Sequence, residues 1–131
     1  MDKPIRKKIN DGTPYIGWSA GSNILCPTLC TTNDMPVIQP RSFDALNIFP
    51  FQINPHYYNQ KPKGFNGETR DQRLAEFLAV NPQRSVVCLP EGTSLTLEGK
   101  ALQFHGIAKG ILMQTNSRKE IEDGEDISFL M

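Results

Sequence analysis

Tyr15-Ile16-Gly17-Trp18-Ser19-Ala20-Gly21 is the stretch on which the reading of this chain turns. A short apolar run, Tyr15 to Trp18, reads as a strand, and residues 20–25 read as a short helix that stops before Pro27. Between them, Gly17 to Gly21 fits G-x-S-x-G. A serine on such a strand-to-helix turn is held in a strained conformation that lifts its hydroxyl above the sheet. Glycines flank it because side chains there would meet the neighbouring backbone or a bound molecule. The start of the following helix offers N–H groups to negative charge that develops there. Taken alone, the pattern reads equally as a plain Gly-Ser turn.

Outward from this turn, the rest of the chain reads as short α and β elements. Residues 4–10 form a helix, with Pro4 in its first turn, Ile5 and Ile9 four apart, and Gly12 as a stop. Residues 30–42 are loop, and Phe51-Gln52-Ile53-Asn54 is a strand ended by Pro55. After a polar loop over 57–67, the clearest helix is capped by Thr69 or Asp71, carries Leu74, Phe77 and Leu78, and ends at Asn81-Pro82. Residues 85–89 are a continuous apolar strand, the pattern of one buried on both faces. Beyond Gly92, residues 94–98 alternate, Gly99-Lys100 turns, and residues 101–105 and 107–114 read as antiparallel strands of a hairpin region. The charged tail from Arg118 frays or caps the last strand. Strand–helix alternation followed by a hairpin argues for a single α/β domain over residues 1–131.

Composition narrows the function classes. The 131 residues carry 14 Lys+Arg against 14 Asp+Glu, so there is no electrostatic case for nucleic acid or anionic lipid as partner. Lys61, Lys63, Arg70 and Arg73 lack interleaved stacking aromatics and read as a solvated loop and helix face. No apolar run approaches the roughly 18–20 residues of a membrane span, and the basic start has no signal-peptide core. Cys26, Cys30 and Cys88 are an odd number without framework spacing, which suggests reduced thiols and a cytoplasmic location. Pro27 interrupts the Cys26/Cys30 pair and there is no second C-x-x-C, so neither a metal nor another cofactor is expected.

A serine nucleophile needs a base, and the chain has two histidines. His56 ends a strand candidate, where active sites gather in open α/β sheets; His105 lies in the hairpin region and reads as structural. The third member must be a carboxylate that fixes the imidazole tautomer. Glu91, in Pro90-Glu91-Gly92, follows the buried strand to the same sheet edge. Asp34, in Asn33-Asp34-Met35-Pro36, follows the turn helix and would give the Ser…Asp…His order of α/β-hydrolases. The residues alone leave both open.

Several long motifs in register go further than the turn. Besides residues 15–21, these are Thr31-Thr32-Asn33-Asp34-Met35-Pro36, Phe43-Asp44-Ala45-Leu46, Gln52-Ile53-Asn54-Pro55-His56, Gly67-Glu68-Thr69-Arg70-Asp71-Gln72-Arg73 and Leu89-Pro90-Glu91-Gly92. Together they resemble the peptidase E family, the α-aspartyl dipeptidases, closely up to Gly92 and more loosely beyond. The resemblance implies a class I glutamine amidotransferase-like three-layer α/β sandwich in partial form, and a serine peptidase that removes N-terminal aspartate from dipeptides. By carry-over Ser19 is the nucleophile, His56 the base and Glu91 the acid that orients it, with Asp34 the second choice. Arg70 is the candidate grip for the substrate's aspartate, since a guanidinium fork matches a carboxylate. The match begins in the helix ahead of the turn, so the family's amino-terminal half, with a Gly-rich loop that supplies an oxyanion donor, is expected to be absent. An open sheet edge would follow, for a companion chain or a homo-oligomer to cover. Two rival readings are a cyanophycinase-like peptidase on the same fold and a truncated, non-catalytic remnant. Ser19 in place of cysteine argues against an amidotransferase.

Overall fold

The structure is a computed structural model and describes residues 2–131. Helix α1 (Asp2–Asn10) ends where Gly12, at φ 92°, turns the chain back and its N–H bonds the Ile9 carbonyl at 3.0 Å. α2 (Ala20–Asn23) is a single turn behind Ser19. Strand β1 (Gln52–Pro55) leads through a polar loop to α3 (Arg70–Val80) and on to β2 (Val86–Leu89). β3 (Thr93–Glu98) and β4 (Ala101–Gly106) follow, then β5 (Gly110–Gln114), β6 (Ser117–Ile121) and a 3₁₀ turn at Ser128–Leu130.

β1, β2, β5 and β6 form a mixed sheet in that order. β1 and β2 run parallel, joined through α3, and the other two pairs are antiparallel. The continuous apolar run of β2 is explained by its place inside this sheet. Val86 and Cys88 face α3, with Tyr57, Leu74, Leu78, Ile111 and Met113. Val87 and Leu89 face the other way, onto Cys26, Phe51, Leu102 and Phe104. α3 starts on a complete capping box, in which Thr69 accepts the Gln72 N–H and the Gln72 side chain accepts the Thr69 N–H. β3 and β4 pair with each other as a two-stranded sheet laid over the second core, and β4 also bridges to the segment after β6 at Gln103 and Asp126.

Three expectations are corrected. Residues 15–18 form no strand: among the described residues none pairs with them, and Ile16 and Trp18 stand 86% and 79% exposed. A strand exists through its ladder, and apolar sequence alone does not supply one. The second half of residues 107–114 leaves the hairpin region and enters the main sheet as β5, where Ile111, Leu112 and Met113 are buried. Gly110 permits this, because a Cβ there would stand 2.6 Å from the Phe104 ring. The charged tail is ordered as β6 and the segment after it, because Ile121 and Ile127 are buried in the core. Its backbone bonds β4 between Ile127 N and Leu102 O (2.9 Å) and between Phe104 N and Glu125 O (3.0 Å). Its charges meet partners on the outer face: Lys109 reaches Glu120 and Glu122 at 2.7 and 2.8 Å, and Lys119 pairs with Glu125. No helix among the described residues is long and apolar enough to cross a membrane.

Burial of acidic protons gives this core a pH signature. Burial pushes the Cys26 thiol from 9.0 up to about 12, with partial relief from the Ile53 N–H, and pushes the Cys88 thiol up as well. The Tyr57 phenol rises from 10.0 to about 12, first through burial and then through its bond to Asp71. Each group holds its proton more tightly folded than unfolded. Their contribution is therefore complete below pH 9 and is lost as pH rises toward 12. Urea unfolding free energies should be flat from pH 7 to 9 and fall above it. A Cys26→Ala/Cys88→Val variant should flatten the limb between pH 9 and 10; an unchanged slope there would refute this origin.

Candidate active site

The turn at Ser19 is built although no strand precedes it. Ser19 sits at φ 52°, ψ −126°, a region non-glycine residues rarely occupy, and its side chain makes no capping bond to α2. The Ser19 carbonyl accepts both the Ser22 hydroxyl (2.6 Å) and the Ser22 N–H (3.0 Å), while the Tyr15 hydroxyl donates to the Gly21 carbonyl at 2.7 Å. Gly17 is required by space, since a Cβ would stand 2.6 Å from the Gly21 oxygen and 2.7 Å from the Tyr15 ring. At Gly21 a Cβ meets only the Tyr15 hydroxyl at an ordinary 3.7 Å, so the neighbouring backbone does not require a glycine there.

β1 carries this turn to the histidine. Its inner edge pairs with β2, and its outer edge is closed by side chains instead of a strand. The Ile53 N–H donates to Cys26 Sγ at 3.2 Å, and the Ile53 carbonyl accepts from Asn23 Nδ2 (2.7 Å) and Thr31 Oγ1 (2.8 Å). The Pro55 carbonyl accepts from Asn33 Nδ2 at 2.8 Å. Asn54 donates to the Thr31 carbonyl and to Asn33 Oδ1, at 2.9 and 2.7 Å. Asn23, Thr31 and Asn54 are almost wholly buried. The sequence reading missed this set, whose visible signals were Asn54 inside an apolar strand and Pro55, whose missing N–H suits an edge.

His56 follows at φ 53°, and the next N–H, of Tyr57, bonds the Leu89 carbonyl at 2.9 Å. Because β1 and β2 are parallel with Pro55 opposite Leu89, the residues just past both strands emerge at one sheet edge. There His56 Nδ1 and Glu91 Oε1 form a hydrogen bond, with the imidazole half-exposed and the carboxylate largely so. His56 and Ser19 line one cavity of about 300 Å³, a size typical of small-molecule sites, together with Asn33, Asp34, Pro36 and Phe43. Of the two candidate carboxylates, the one bonded to His56 is Glu91; Asp34 lies in the cavity lining.

Arg70 lies elsewhere. It lines a neighbouring cavity of about 70 Å³ with Arg73, Asn54, Thr31 and Thr32, and Thr32 lines both cavities. Burial, reinforced by the charge of Arg73, holds Arg70 below the ordinary arginine range. Its Nη1 is buried without a partner, and Arg73 Nη1 donates to the Asn33 carbonyl at 3.2 Å. His105 is on β4, with its Nε2 3.0 Å from Thr96 Oγ1. Cys26 and Cys88 are buried free thiols and Cys30 is exposed. No group of three or more metal-ligating side chains occurs among the described residues.

The model of peptidase family S51 matches residues 1–105. The chain belongs to that family. It is 51% identical over 128 residues to a peptidase E of Nostoc sp., an alignment that takes in 97% of this chain and 53% of that protein. A peptidase E of Pasteurella multocida is 53% identical over 112 residues, 86% of this chain and 48% of the relative. One from Escherichia coli is 54% identical over 94 residues, 72% of this chain and 41% of the relative. The chain spans about half the length of the curated S51 relatives it matches.

The closed edge of β1 makes a quantitative prediction for this S51 chain. Asn23→Ala leaves Thr31 on the Ile53 carbonyl and should cost about 1 kcal/mol. Asn23→Ala/Thr31→Val strips the oxygen of both donors and should exceed the sum of the single losses, by up to ~1–3 kcal/mol. A urea-denaturation double-mutant cycle measures this, and strict additivity would argue against the shared acceptor.

Proposed function

We propose that this chain is the catalytic part of a serine peptidase that releases N-terminal aspartate from Asp-X dipeptides. The observation that carries the reading is the His56–Glu91 hydrogen bond at the mouth of the cavity that Ser19 also lines. In this reading His56 takes the Ser19 proton as the hydroxyl attacks the scissile carbonyl, and returns it to the leaving amine. Glu91 holds the imidazole tautomer and stabilises the imidazolium; Asp34 is a wall of the substrate cavity. The Gly21 and Ser22 N–H groups are already engaged with Trp18 and Ser19, so the Ala20 N–H is the oxyanion donor the turn can offer.

Specificity is assigned to Arg70, with Arg73 beside it. A buried guanidinium nitrogen without a partner favours an anion, and a carboxylate supplies the matching fork. The wider frame is a single partial α/β domain of the class I glutamine amidotransferase-like sandwich. The free thiols suit a cytoplasmic location. The exposed, unpaired residues 15–18 would take their strand neighbour from a companion chain or a second copy.

A fluorophosphonate probe tests the nucleophile without a substrate. Labelling should fall on Ser19, vanish in Ser19→Ala and drop sharply in His56→Ala; an unlabelled wild-type chain would overturn the reading. Turnover of Asp-X should fall by up to ~10⁶ in either variant, because such residues act as a unit. Arg70→Met should abolish the preference for Asp-X over Asn-X, a loss of about 3–5 kcal/mol in kcat/KM terms. An unchanged preference would move the determinant to Arg73.

A further inference from the structure

His56 and Tyr57 are consecutive, yet they serve different parts of the molecule. His56 lines the Ser19 cavity, while the Tyr57 ring is buried on the far side of the sheet against Leu74 and Leu78 of α3. The Tyr57 hydroxyl donates to the Asp71 carboxylate. Arg118 of β6 joins both, with Nε 3.2 Å from Asp71 Oδ2 and Nη2 3.3 Å from the Tyr57 oxygen. The Asp71 N–H is taken by Asn59 Oδ1 at 2.9 Å. Asp71 shares the first turn of α3 with Arg70 and Arg73, the two cations of the smaller cavity.

Asp71 is not needed to start α3, because Thr69 and Gln72 already complete its cap. Its carboxylate is spent on Tyr57 and Arg118 instead. On the other side, His56 holds a left-handed backbone that non-glycine residues adopt only when their neighbours over-determine it. β1 fixes the residue before it; the Tyr57 N–H bond to Leu89 and the anchored Tyr57 ring fix the residue after it.

We propose that Tyr57, Asp71 and Arg118 form a positioning network that sets His56 at a fixed separation from Arg70 and Arg73. The proton-transferring group and the carboxylate-receiving groups are thereby tied through the Tyr57–Asp71 hydrogen bond, which Arg118 braces from both ends. The inference rests on the roles assigned above to His56 and Arg70. A phenol is protonated throughout the neutral range, and burial pushes this one up further, so the Tyr57 hydroxyl remains a donor to Asp71.

The test uses the whole chain and two mild variants. Tyr57→Phe keeps the ring in the core and deletes the hydroxyl; Asp71→Asn keeps the shape and removes the charge. Spectra of the His56 and His105 imidazoles and of the Arg70 and Arg73 guanidinium N–H groups need no turnover. Both variants should move the His56 and Arg70/Arg73 signals together and leave His105, on β4, in place. Arg118→Lys, which retains the cation, should give a smaller displacement. A lowered Tm with His56 and the arginines unmoved would make the network a structural strap and overturn the proposal, as would movement of only one of the two groups. With Asp-X as substrate, Tyr57→Phe should lower kcat by about 10–100-fold, the scale of a misplacement of roughly 1 Å, with a smaller change in KM. Paired shifts in the two variants, alongside a wild-type chain that turns over no Asp-X, would uphold the network and refute the proposed activity.

Discussion

The outer edge of β1 is the constraint on which the rest depends. An edge strand presents unpaired N–H and C=O groups that must find partners, and in a buried setting each unmet group costs about 1–3 kcal/mol. Here the partners are Asn23, Cys26, Thr31 and Asn33, four side chains from one irregular segment. That segment begins in the helix directly behind Ser19, and β1 ends directly before His56. Closing the edge therefore also fixes the nucleophile's turn against the strand that delivers the base. One set of hydrogen bonds serves stability and site geometry together.

Strain is concentrated at the same place. Ser19 and His56 both carry positive φ, and each is held by bonds made by its neighbours rather than by its own side chain. For Ser19 these are the Ser22 and Tyr15 contacts; for His56 they are β1 and the Tyr57 N–H bond to Leu89. The Ser19 side chain thus makes no capping bond and the His56 ring is kept for Glu91, while the backbone at both residues is held by its neighbours. That arrangement is what a preorganised site requires.

Much of this was legible in the chain itself, and the reasons it failed in places are physical. Residues 85–89 announce burial on both faces, and Thr69 or Asp71 announces the start of α3, because both signals are local; that the cap is Thr69 closed by Gln72 is visible only in the fold. Residues 15–18 read as a strand from apolarity alone, but a ladder needs a neighbour, and composition does not reveal one. Ile121 and Ile127 are two apolar residues in a charged tail, and their weight came from a core formed far away in sequence. Asn23 read as part of the short helix and Thr31 and Asn33 as loop, because their partner, β1, lies more than twenty residues on. Glu91 and Asp34 were equal on residue type. Parallel pairing of β1 with β2 separates them, since it brings the ends of both strands to one edge.

Trp18, the chain's one tryptophan, stands beside Ser19 with most of its surface in solvent. The molecule therefore carries an optical reporter at the most consequential point of its backbone. Its emission registers the polarity at the Ser19 turn free of signal from any other indole. A neighbouring strand that covers residues 15–18 draws the indole out of water and shifts its emission to the blue. The same side chain that is left bare by the absence of a ladder makes occupancy of that surface readable in a cuvette.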